Sequence, residues 1–322
     1  MWALAQRLPR GATLESVGDE LDAGQFIRTH GPRPTWHFLA PEDCRWILAL
    51  VGPRVERQSA TINRREGLDP TTLSRGLGIL QGALAGRKAL TRPELGAALA
   101  AGGIDGAAGL RLGQIVMHAE LRAVICSGPR RGRQNTYQLV EERIPPAPPC
   151  DRDDALRELA VRYFQSHGPA LAHDMAWWSG LTVGDVRRGI ELAGDALQGR
   201  SVDGKEYWAA TGAFDPDPVP EPFVRLLSNY DEYLGSYVDY SPIFDPSLPK
   251  ARNVADVLGA HIVVRDGFVV GGWRRGLGRD RATVTVTLLL PLTTAEMAAL
   301  HVEADAYGTF LGQPVDLVMA QP

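Results

Sequence analysis

Three arginines on a short predicted turn are the residues of this chain whose type and spacing first suggest a chemistry. The sequence from Ser127 to Val140 reads SGPRRGRQNTYQLV. Arg130, Arg131 and Arg133 lie there beside glycines, between two apolar stretches. Because the guanidinium group presents a fixed fork of donors that matches phosphate oxygens, the turn is predicted to contact a polyanion. The alternative is a solvated hairpin whose arginines only prevent the pairing of sheet edges.

A helix and two strands are predicted to position these arginines. Leu110 to Leu121 (LRLGQIVMHAEL) has the pattern of an amphipathic helix. Strands are predicted at Arg122 to Cys126 and at Thr136 to Val140. Helix, strand, basic turn and strand follow one another in this order in a winged helix. In that module one helix lies in a groove of DNA, and the hairpin tip reaches a neighbouring phosphate or groove.

The charge of the chain is divided unevenly between its two halves. Residues 1–149 carry 19 Lys and Arg against 14 Asp and Glu, a net charge of +5. Residues 150–322 carry 15 against 24, a net charge of −9, so that the total is −4. A total of this sign excludes a protein that coats DNA by bulk charge, and the distribution predicts that a polyanion binds the first half.

Several classes of protein have no support in the sequence. No apolar run reaches about 18 residues, so no transmembrane helix is predicted, and the start lacks the order of a signal peptide. Cys44, Cys126 and Cys150 are scattered without metal-ligand spacing, as expected for free thiols in a reducing cytoplasm. Because a glycine-rich phosphate loop, a nucleophile elbow and a metal cluster are also missing, we expect neither a metal nor a cofactor.

Two proline-rich segments, Ile144 to Cys150 and Asp215 to Pro222, predict domain boundaries. The arrangement of three helices and a short hairpin before Ile144 to Cys150 recurs after this segment. In the second copy Thr182 is predicted to cap a helix, with Asp185 completing the capping box, and Asp203-Gly204 forms a tight hairpin turn. A less complete copy is predicted at the start of the chain, with an amphipathic helix from Glu42 to Val51.

The C-terminal block changes to the alternating pattern of strands. It is predicted to contain two short strands joined by a turn at Asp266-Gly267 and one capped helix from Thr294 to Gly308. The predicted fold class is α+β, with tandem winged-helix domains followed by a C-terminal β-barrel-like domain. The predicted boundaries are residues 1–75 for a first, N-terminally incomplete winged helix, 76–149 for the second, 150–215 for the third and 216–322 for the β-rich domain.

Further candidate residues lie outside the basic turn. Arg33, His37 and His30, on a hairpin near the start, are predicted to contact DNA or to line a pocket for a displaced nucleotide. The alternative for His37 is a hydrogen-bonded histidine in the core. Arg274 and Arg275 follow an apolar strand, where they contact phosphate or form a solvated edge.

Asp231 and Glu232 form the acidic pair of the chain that most resembles a catalytic pair. On an extended strand, adjacent residues point to opposite faces, so the two are not expected to serve one reacting centre. Asp231 alone is therefore the candidate catalytic acid. Its alternative role is that of a structural hydrogen-bond acceptor or a partner in an ion pair.

Longer motifs resemble a known family. The segment Arg28 to Trp46 (RTHGPRPTWHFLAPEDCRW) is similar to the signature of bacterial winged-helix DNA-binding proteins. That family includes the azinomycin-resistance, AlkZ-like glycosylases that unhook interstrand crosslinks. The matches continue through LTRPEL, AELRAVICSGPRRGRQNTYQL, HGPALAHDMAWWSGLTVGDVR, YDEYLGSYVDYS and VVGGWRR, in the family's order. The resemblance implies three tandem winged helices, a C-terminal β-barrel-like domain and duplex DNA in a basic channel.

One family motif is not found in this sequence. In active relatives a Gln-x-Gln or Gln-x-Asp pair, a few residues upstream of the position that Trp2 occupies here, orients the attacking water. Gln6 lies downstream of that place and has neither Gln nor Asp two residues away. Two explanations remain open, a start assigned too late and a non-catalytic relative. Residues 1–322 are therefore expected to bind DNA and to excise little.

The combined expectation is a DNA-binding protein that resembles the glycosylases of alkylated or crosslinked bases. It is expected to act as a monomer on double-stranded DNA, in the cytoplasm and associated with the nucleoid. The alternative is a non-enzymatic winged-helix regulator. Because a regulator usually needs a dimer interface to match two half-sites, and no heptad repeat is visible, the first interpretation is preferred.

Overall fold

The computed structural model describes residues 1–9, 11–214, 222–245, 247–248 and 260–321. The chain forms a mixed α+β fold with two compact units. One unit contains residues 19–214, and the other combines residues 1–18 with residues 215–322. This division is coarser than the four predicted domains, whose separate boundaries stay predictions. The predicted boundary between residues 215 and 216 lies outside the described residues.

The unit of residues 19–214 begins within a helix, which is followed by a two-stranded hairpin and a long helix. These elements are α2 (Leu14–Ala23), β1 (Ile27–His30), β2 (Trp36–Leu39) and α3 (Pro41–Arg65). Strands β1 and β2 pair antiparallel and are called the first hairpin below. Helix α3 extends well beyond the predicted Glu42 to Val51, although Pro53 lies inside it. It crosses the helix Gly109–Leu121 so closely that a Cβ at Gly52 would come within 2.8 Å of the Leu121 carbonyl oxygen.

The next segment of this unit places three helices before a second hairpin. Its elements are α4 (Pro70–Leu84), β3 (Leu90–Thr91), α5 (Arg92–Ala101), α6 (Gly109–Leu121), β4 (Ile125–Arg131), β5 (Gln134–Leu139) and α7 (Val140–Arg143). The three strands form an antiparallel sheet in the order β3-β5-β4. Strands β4 and β5 are called the basic hairpin.

The predicted edges of the basic hairpin were wrong by a few residues. Strand β4 begins at Ile125 rather than at Arg122, which ends α6 and is followed by Ala123 with a φ of 51°. The strand also continues through Arg130 and Arg131, because an irregularity after Gly128 absorbs Pro129 without ending the pairing. The turn itself is therefore shorter than predicted.

A third segment repeats the arrangement of helices and hairpin. Its elements are α8 (Arg152–His167), β6 (Ala170–Leu171), α9 (Ala172–Ser179), α10 (Val183–Ala193), β7 (Leu197–Val202) and β8 (Lys205–Ala210). The predicted capping box is confirmed, since Asp185 N–H donates to Thr182 Oγ1 at 3.0 Å and the Thr182 hydroxyl donates to Asp185 at 2.7 Å. The predicted Asp203-Gly204 turn is also confirmed, with φ angles of 48° and 74°.

The other unit is built on a five-stranded sheet. Its elements are α1 (Trp2–Ala5), β9 (Val224–Leu227), α11 (Glu232–Gly235), β10 (His261–Arg265), β11 (Phe268–Leu277), β12 (Ala282–Leu288), α12 (Thr294–Leu311) and β13 (Val315–Ala320). The strand order is β13-β12-β11-β10-β9, with β12 and β13 parallel and the rest antiparallel.

No closed barrel is found in the described part of this unit, which corrects the barrel-like prediction. A parallel pair needs a crossover, and α12 supplies it between β12 and β13. Its buried side packs on β9 and β13, where Leu300, Ala304 and Tyr307 are buried. The sheet is thus covered by a helix and remains open, with β9 and β13 at its edges.

The N-terminal helix belongs to this sheet-containing unit. The Trp2 indole donates a hydrogen bond to the Leu226 carbonyl oxygen at 2.7 Å, and its ring lies 5.1 Å from that of Tyr307 and 5.2 Å from that of Phe310. Gln6 donates to Glu303 at 2.7 Å. The first residues of the chain thus complete a core made by the last hundred.

Helix α6 is the most enclosed element of the unit of residues 19–214. On one side Leu112, Ile115 and Ala119 pack with α4 and α5. On the other side Met117 and Leu121 join the core beneath the first hairpin and α3. Because both sides are covered, any polar residue near the end of this helix must find its partner inside the protein.

Candidate nucleic-acid interface

Two of the three arginines of the basic hairpin are held by acidic residues. Arg130 donates to both carboxylate oxygens of Asp22 at 2.9–3.1 Å. Burial raises the pKa of Asp22, but the hydrogen bonds from Arg130 outweigh it, and the pKa lies below its usual value. Arg131 donates to Glu94 at 2.8 Å and to the Ala89 carbonyl at 2.7 Å.

Arg133 differs from its two neighbours. It is exposed at the turn after Gly132 and makes no ion pair with any residue that the structure describes. Unlike Arg130 and Arg131, Arg133 can therefore bind a phosphate without first breaking an ion pair with a carboxylate. The contact of all three arginines with DNA stays a prediction.

The first hairpin presents Arg33 and His37 on a partly exposed surface. Arg33 has a φ of 63°, and its guanidinium lies 5.7 Å from the ring centroid of Trp177. His37 is partly exposed, and its Nε2 lies 2.9 Å from the Thr35 hydroxyl. The buried histidine of this hairpin is His30, which is 8% exposed. The core role considered for His37 is therefore filled by His30 instead.

Arg274 and Arg275 are both exposed and lie on opposite faces of β11. Arg274 lines a cavity of about 450 Å³ together with Gly272, Thr285 and Thr287. Arg275 lies on the other face, where it joins burial in lowering the pKa of His261. The two therefore do not form one phosphate site on this sheet.

The Asp231 carboxylate accepts hydrogen bonds from residues of its own unit. The Arg7 guanidinium donates to its two carboxylate oxygens at 2.7 and 3.1 Å, and Tyr233 N–H donates to it at 3.0 Å. The predicted strand was wrong here, because Asp231 caps the short helix α11 and Glu232 is its first residue. Its side chain is 0% exposed, which fits the structural alternative.

A buried polar cluster lies between the first hairpin and α6, and it joins the candidate residue His30 to Glu120, which was not among the candidates. His30 Nδ1 forms a very short contact with Glu120 Oε2, and the Glu120 side chain is 0% exposed. Arg28 lies next to the pair and hydrogen-bonds Tyr137, which comes from the basic hairpin. Ser127 Oγ accepts a hydrogen bond from Arg28 N–H at 2.9 Å and so joins the two hairpins.

An aromatic surface covers this cluster. The strand register places Arg28 opposite Phe38 and His30 opposite Trp36, so these four side chains share one face of the first hairpin. Trp36 is 42% and Phe38 37% exposed, and Arg28 lies 3.9 Å above the Trp36 ring. Exposed aromatics beside cations form surfaces on which unstacked bases are bound in other proteins.

The sequence contains one signal for this cluster. Glu120 follows Val116 by four residues and Ala119 by one, so a carboxylate stands among buried apolar residues of the helix. A buried acid in such a position needs a partner. That the partner is His30, 90 positions earlier, is not visible in the sequence.

Metal and membrane functions have no structural support in the described residues. Those residues contain no group of three or more His, Cys, Asp and Glu side chains arranged to hold a metal ion. Among the helices described, none is long and apolar enough to cross a membrane.

Known proteins resemble this chain over nearly its whole length. The family model described as DNA glycosylase AlkZ-like matches residues 1–310. The interstrand DNA cross-link repair glycosylase of Streptomyces sahachiroi is 27% identical over 311 residues, which cover 89% of this chain and 81% of that protein. The solved structure of Streptomyces sahachiroi DNA glycosylase AlkZ superposes with a TM-score of 0.72 at 25% identity, covering 94% of this chain and 85% of that one.

The mixed α+β fold and these similarities define a glycosylase-like protein of DNA repair. The chain belongs to the DNA glycosylase AlkZ-like family, as its sequence motifs predicted.

Proposed function

We propose that this protein binds alkylated or crosslinked duplex DNA as a monomer and hydrolyses the N-glycosidic bond of the modified base. The observation that carries the proposal is the family match over residues 1–310, together with a relative that is named an interstrand cross-link repair glycosylase. The sequence predicted the same class of DNA-binding protein but expected residues 1–322 to excise little. Its substrate and its catalytic activity in this chain are proposals.

The repeated helices and hairpins support the DNA-binding part of this proposal. Helices α4 to α6 with the basic hairpin, and α8 to α10 with β7 and β8, each follow the order of a winged helix. The first hairpin with α2 and α3 supplies a third, shorter set. We propose that these are tandem winged helices and that the positive charge of residues 1–149 directs them to the duplex of the nucleoid.

The chemistry of the reaction sets the requirements for the site. An alkylated purine is a good leaving group because it is already cationic, so the protein has to position a water molecule and stabilise an oxocarbenium-like transition state. The damaged nucleotide must also leave the stack or be reached in a distorted duplex. The aromatic face of the first hairpin, with Trp36 and Phe38, is suited to hold such a nucleotide.

The test is the release of N7-alkylguanine from a labelled duplex. We expect release above a no-protein control and tighter binding to alkylated than to unmodified duplex of the same sequence. Phe38→Ala should weaken the binding of alkylated duplex, whereas Phe268→Ala, an equally exposed phenylalanine of the sheet-containing unit, serves as the matched control. Binding that depends on a promoter sequence and not on damage would instead support the regulator.

A further inference from the structure

We propose that helix α3 carries a DNA-binding surface separate from the hairpins, which binds the phosphate backbone of a duplex whether or not the duplex is damaged. The surface consists of four arginines on one side of the C-terminal half of this helix and is called the arginine stripe. Its members are Arg54, Arg57, Arg64 and Arg65. The proposal rests on the proposed binding of duplex DNA and assigns one contact with it.

The spacing of the four arginines places them on one side of the helix. At 3.6 residues per turn, successive residues are rotated by about 100°, so the four side chains fall within an arc of about 100°. Gln58 and Thr61 lie on the same side, which therefore contains polar and positively charged residues and no acid. At 1.5 Å per residue the stripe is about 17 Å long, which corresponds to about five base-pair steps of a duplex.

The stripe is accessible to a ligand. Three of its arginines are exposed and Arg54 is partly buried, whereas Val55, on the core side of the helix, is 0% exposed. Nearer the N terminus, the same side of α3 is covered by α8, where Arg162 pairs with Asp43. The stripe begins beyond this covered segment, where the side chains reach solvent.

No carboxylate of the described residues forms an ion pair with the stripe. Arg64 donates a hydrogen bond to Thr61 at 3.2 Å, and this contact stays within the same side of the helix. Glu56, the acid in this half of α3, lies on the other side. It contacts His118 at 2.9 Å and Arg122 at 2.6 Å, so its charge is directed away from the stripe.

Other exposed arginines of the same unit show the pattern of an ordinary solvated helix. On α8, Arg157 and Arg162 lie 3.9 and 2.7 Å from Glu158. On α10, Arg188 contacts Asp153 at 2.8 Å. Alternating charges of this kind are usual on exposed helices. The stripe departs from the pattern because its four positive charges have no neutralising partner in the described part of the chain.

The helix dipole explains only part of the stripe. Cations in the last turn of a helix interact favourably with its negative end, and Arg64 and Arg65 occupy that turn. The effect falls off within one turn, so it does not account for Arg54 and Arg57. These two arginines are the part of the stripe that most needs a ligand as its explanation.

The phosphate backbone of DNA is the partner whose chemistry fits the stripe. Guanidinium groups bind phosphate oxygens through paired hydrogen bonds, and a line of positive charge matches a line of phosphates. Because phosphates are the same at every step, such a contact carries no information on sequence or on damage. The stripe is thus suited to hold undamaged duplex, while the lesion is recognised by another surface.

The test removes the charges of the stripe and keeps the helix. Glutamine has a helix propensity close to that of arginine, so one variant replaces all four arginines by glutamine. A double variant, Arg54→Gln with Arg57→Gln, leaves the last turn intact. The matched control, Arg157→Gln with Arg188→Gln, removes the same charge from arginines that are paired with acids. Melting temperatures show that each variant is folded.

Binding is measured by filter binding at several salt concentrations, with an alkylated and an unmodified duplex of the same sequence. The slope of log affinity against log salt concentration should fall by about 3.6 in the quadruple variant and by about 1.8 in the double variant, since each phosphate contact contributes about 0.9. The two duplexes should lose affinity equally. Single-turnover release of N7-methylguanine at saturating protein should keep the wild-type rate, and the control should bind as the wild type does.

Four outcomes overturn the stripe and leave the proposed glycosylase standing. The first is an unchanged salt slope in the quadruple variant. The second is an equal loss in the matched control, which assigns the effect to net charge. The third is a loss confined to the alkylated duplex. The fourth is polyglutamate that binds the wild type as tightly as duplex and loses affinity in the quadruple variant, which assigns the surface to an acidic protein.

Failure of the proposed function gives a different result. A wild-type protein that binds neither duplex overturns both the stripe and the proposed function. A wild-type protein that binds both duplexes equally, with a salt slope that depends on the stripe, supports the stripe and contradicts the recognition of damage.

Discussion

The first hairpin and the basic hairpin use their polar residues in opposite ways. The basic hairpin displays three arginines in the sequence, yet Asp22 and Glu94 hold two of them in place. The first hairpin has a buried imidazole and carboxylate beneath exposed aromatics. The charges of one hairpin thus form local ion pairs at the surface, whereas the other hairpin has a polar pair in its interior.

The difference shows where charge in a sequence is a guide to function. Arg130 and Asp22 are 108 positions apart and Arg131 and Glu94 are 37 apart, so a basic turn reveals nothing of its acidic partners. Charge that is neutralised in this way positions the hairpin. Charge that remains free, as on Arg133, is available to a ligand.

The largest effect should come from the buried face of the first hairpin. Ile27 is 0% exposed and packs with Leu48 and Leu121, so Ile27→Ala should lower the free energy of unfolding by about 2–5 kcal/mol. Phe38→Ala, on the other face, should cost much less. Denaturant unfolding measures both, and equal costs would contradict the division of this hairpin into a core face and a binding face.

A smaller effect concerns DNA binding by the basic hairpin. Arg133→Ala should reduce the salt dependence of binding by about one unit of slope, by loss of one phosphate contact. The triple replacement of Arg130, Arg131 and Arg133 should add little to this. A filter-binding titration in which the triple variant loses about three units would show that the ion pairs open when DNA binds.

The ion pair of Arg130 should contribute modestly to stability. Arg130→Ala is expected to cost about 0.2–1 kcal/mol, the range for partly exposed pairs. Asp22→Asn should cost a similar amount, and the double variant should cost less than the sum. Additive costs in this double-mutant cycle would mean that the two side chains do not interact in solution.

The smallest effect is a dependence of stability on pH. Hydrogen bonds from Thr91 and Arg131 lower the pKa of Glu94 from 4.5 to about 2. Since the folded state then binds fewer protons than the unfolded state, this contribution is present above pH 4.5 and is lost as the pH falls toward 2. Arg131→Ala should make the melting temperature less sensitive to pH in this window, and an unchanged profile would assign the shift to Thr91 alone.

Local signals in the sequence predicted much of the fold. The capping box of Thr182 and Asp185 and the turns at Asp203-Gly204 and Asp266-Gly267 are confirmed because each depends on residues within a few positions. The end of α3 was missed, since Gly52-Pro53 suggests a break. Only the close crossing with α6 explains the glycine, and that crossing is a long-range contact.

The candidate site could be predicted less well than the fold, because its contacts are also long-range. The family motifs identified the first hairpin, and exposed Arg33 and His37 could be named from it. The pairing of His30 with Glu120 requires that β1 pack on α6, which no local pattern encodes. Asp231 likewise appeared available, because its partner Arg7 lies 224 positions earlier.

The position of Trp2 in the sheet-containing unit has a consequence for synthesis. Its hydrogen bond to Leu226 joins residues 224 positions apart, and at translation rates of about 5–20 residues per second the first helix waits at least about ten seconds for its partner. During that interval the large apolar ring of Trp2 is without its native cover. The middle unit, residues 19–214, can fold from the ribosome first. The sheet that Trp2 completes is then the last part of the chain to mature.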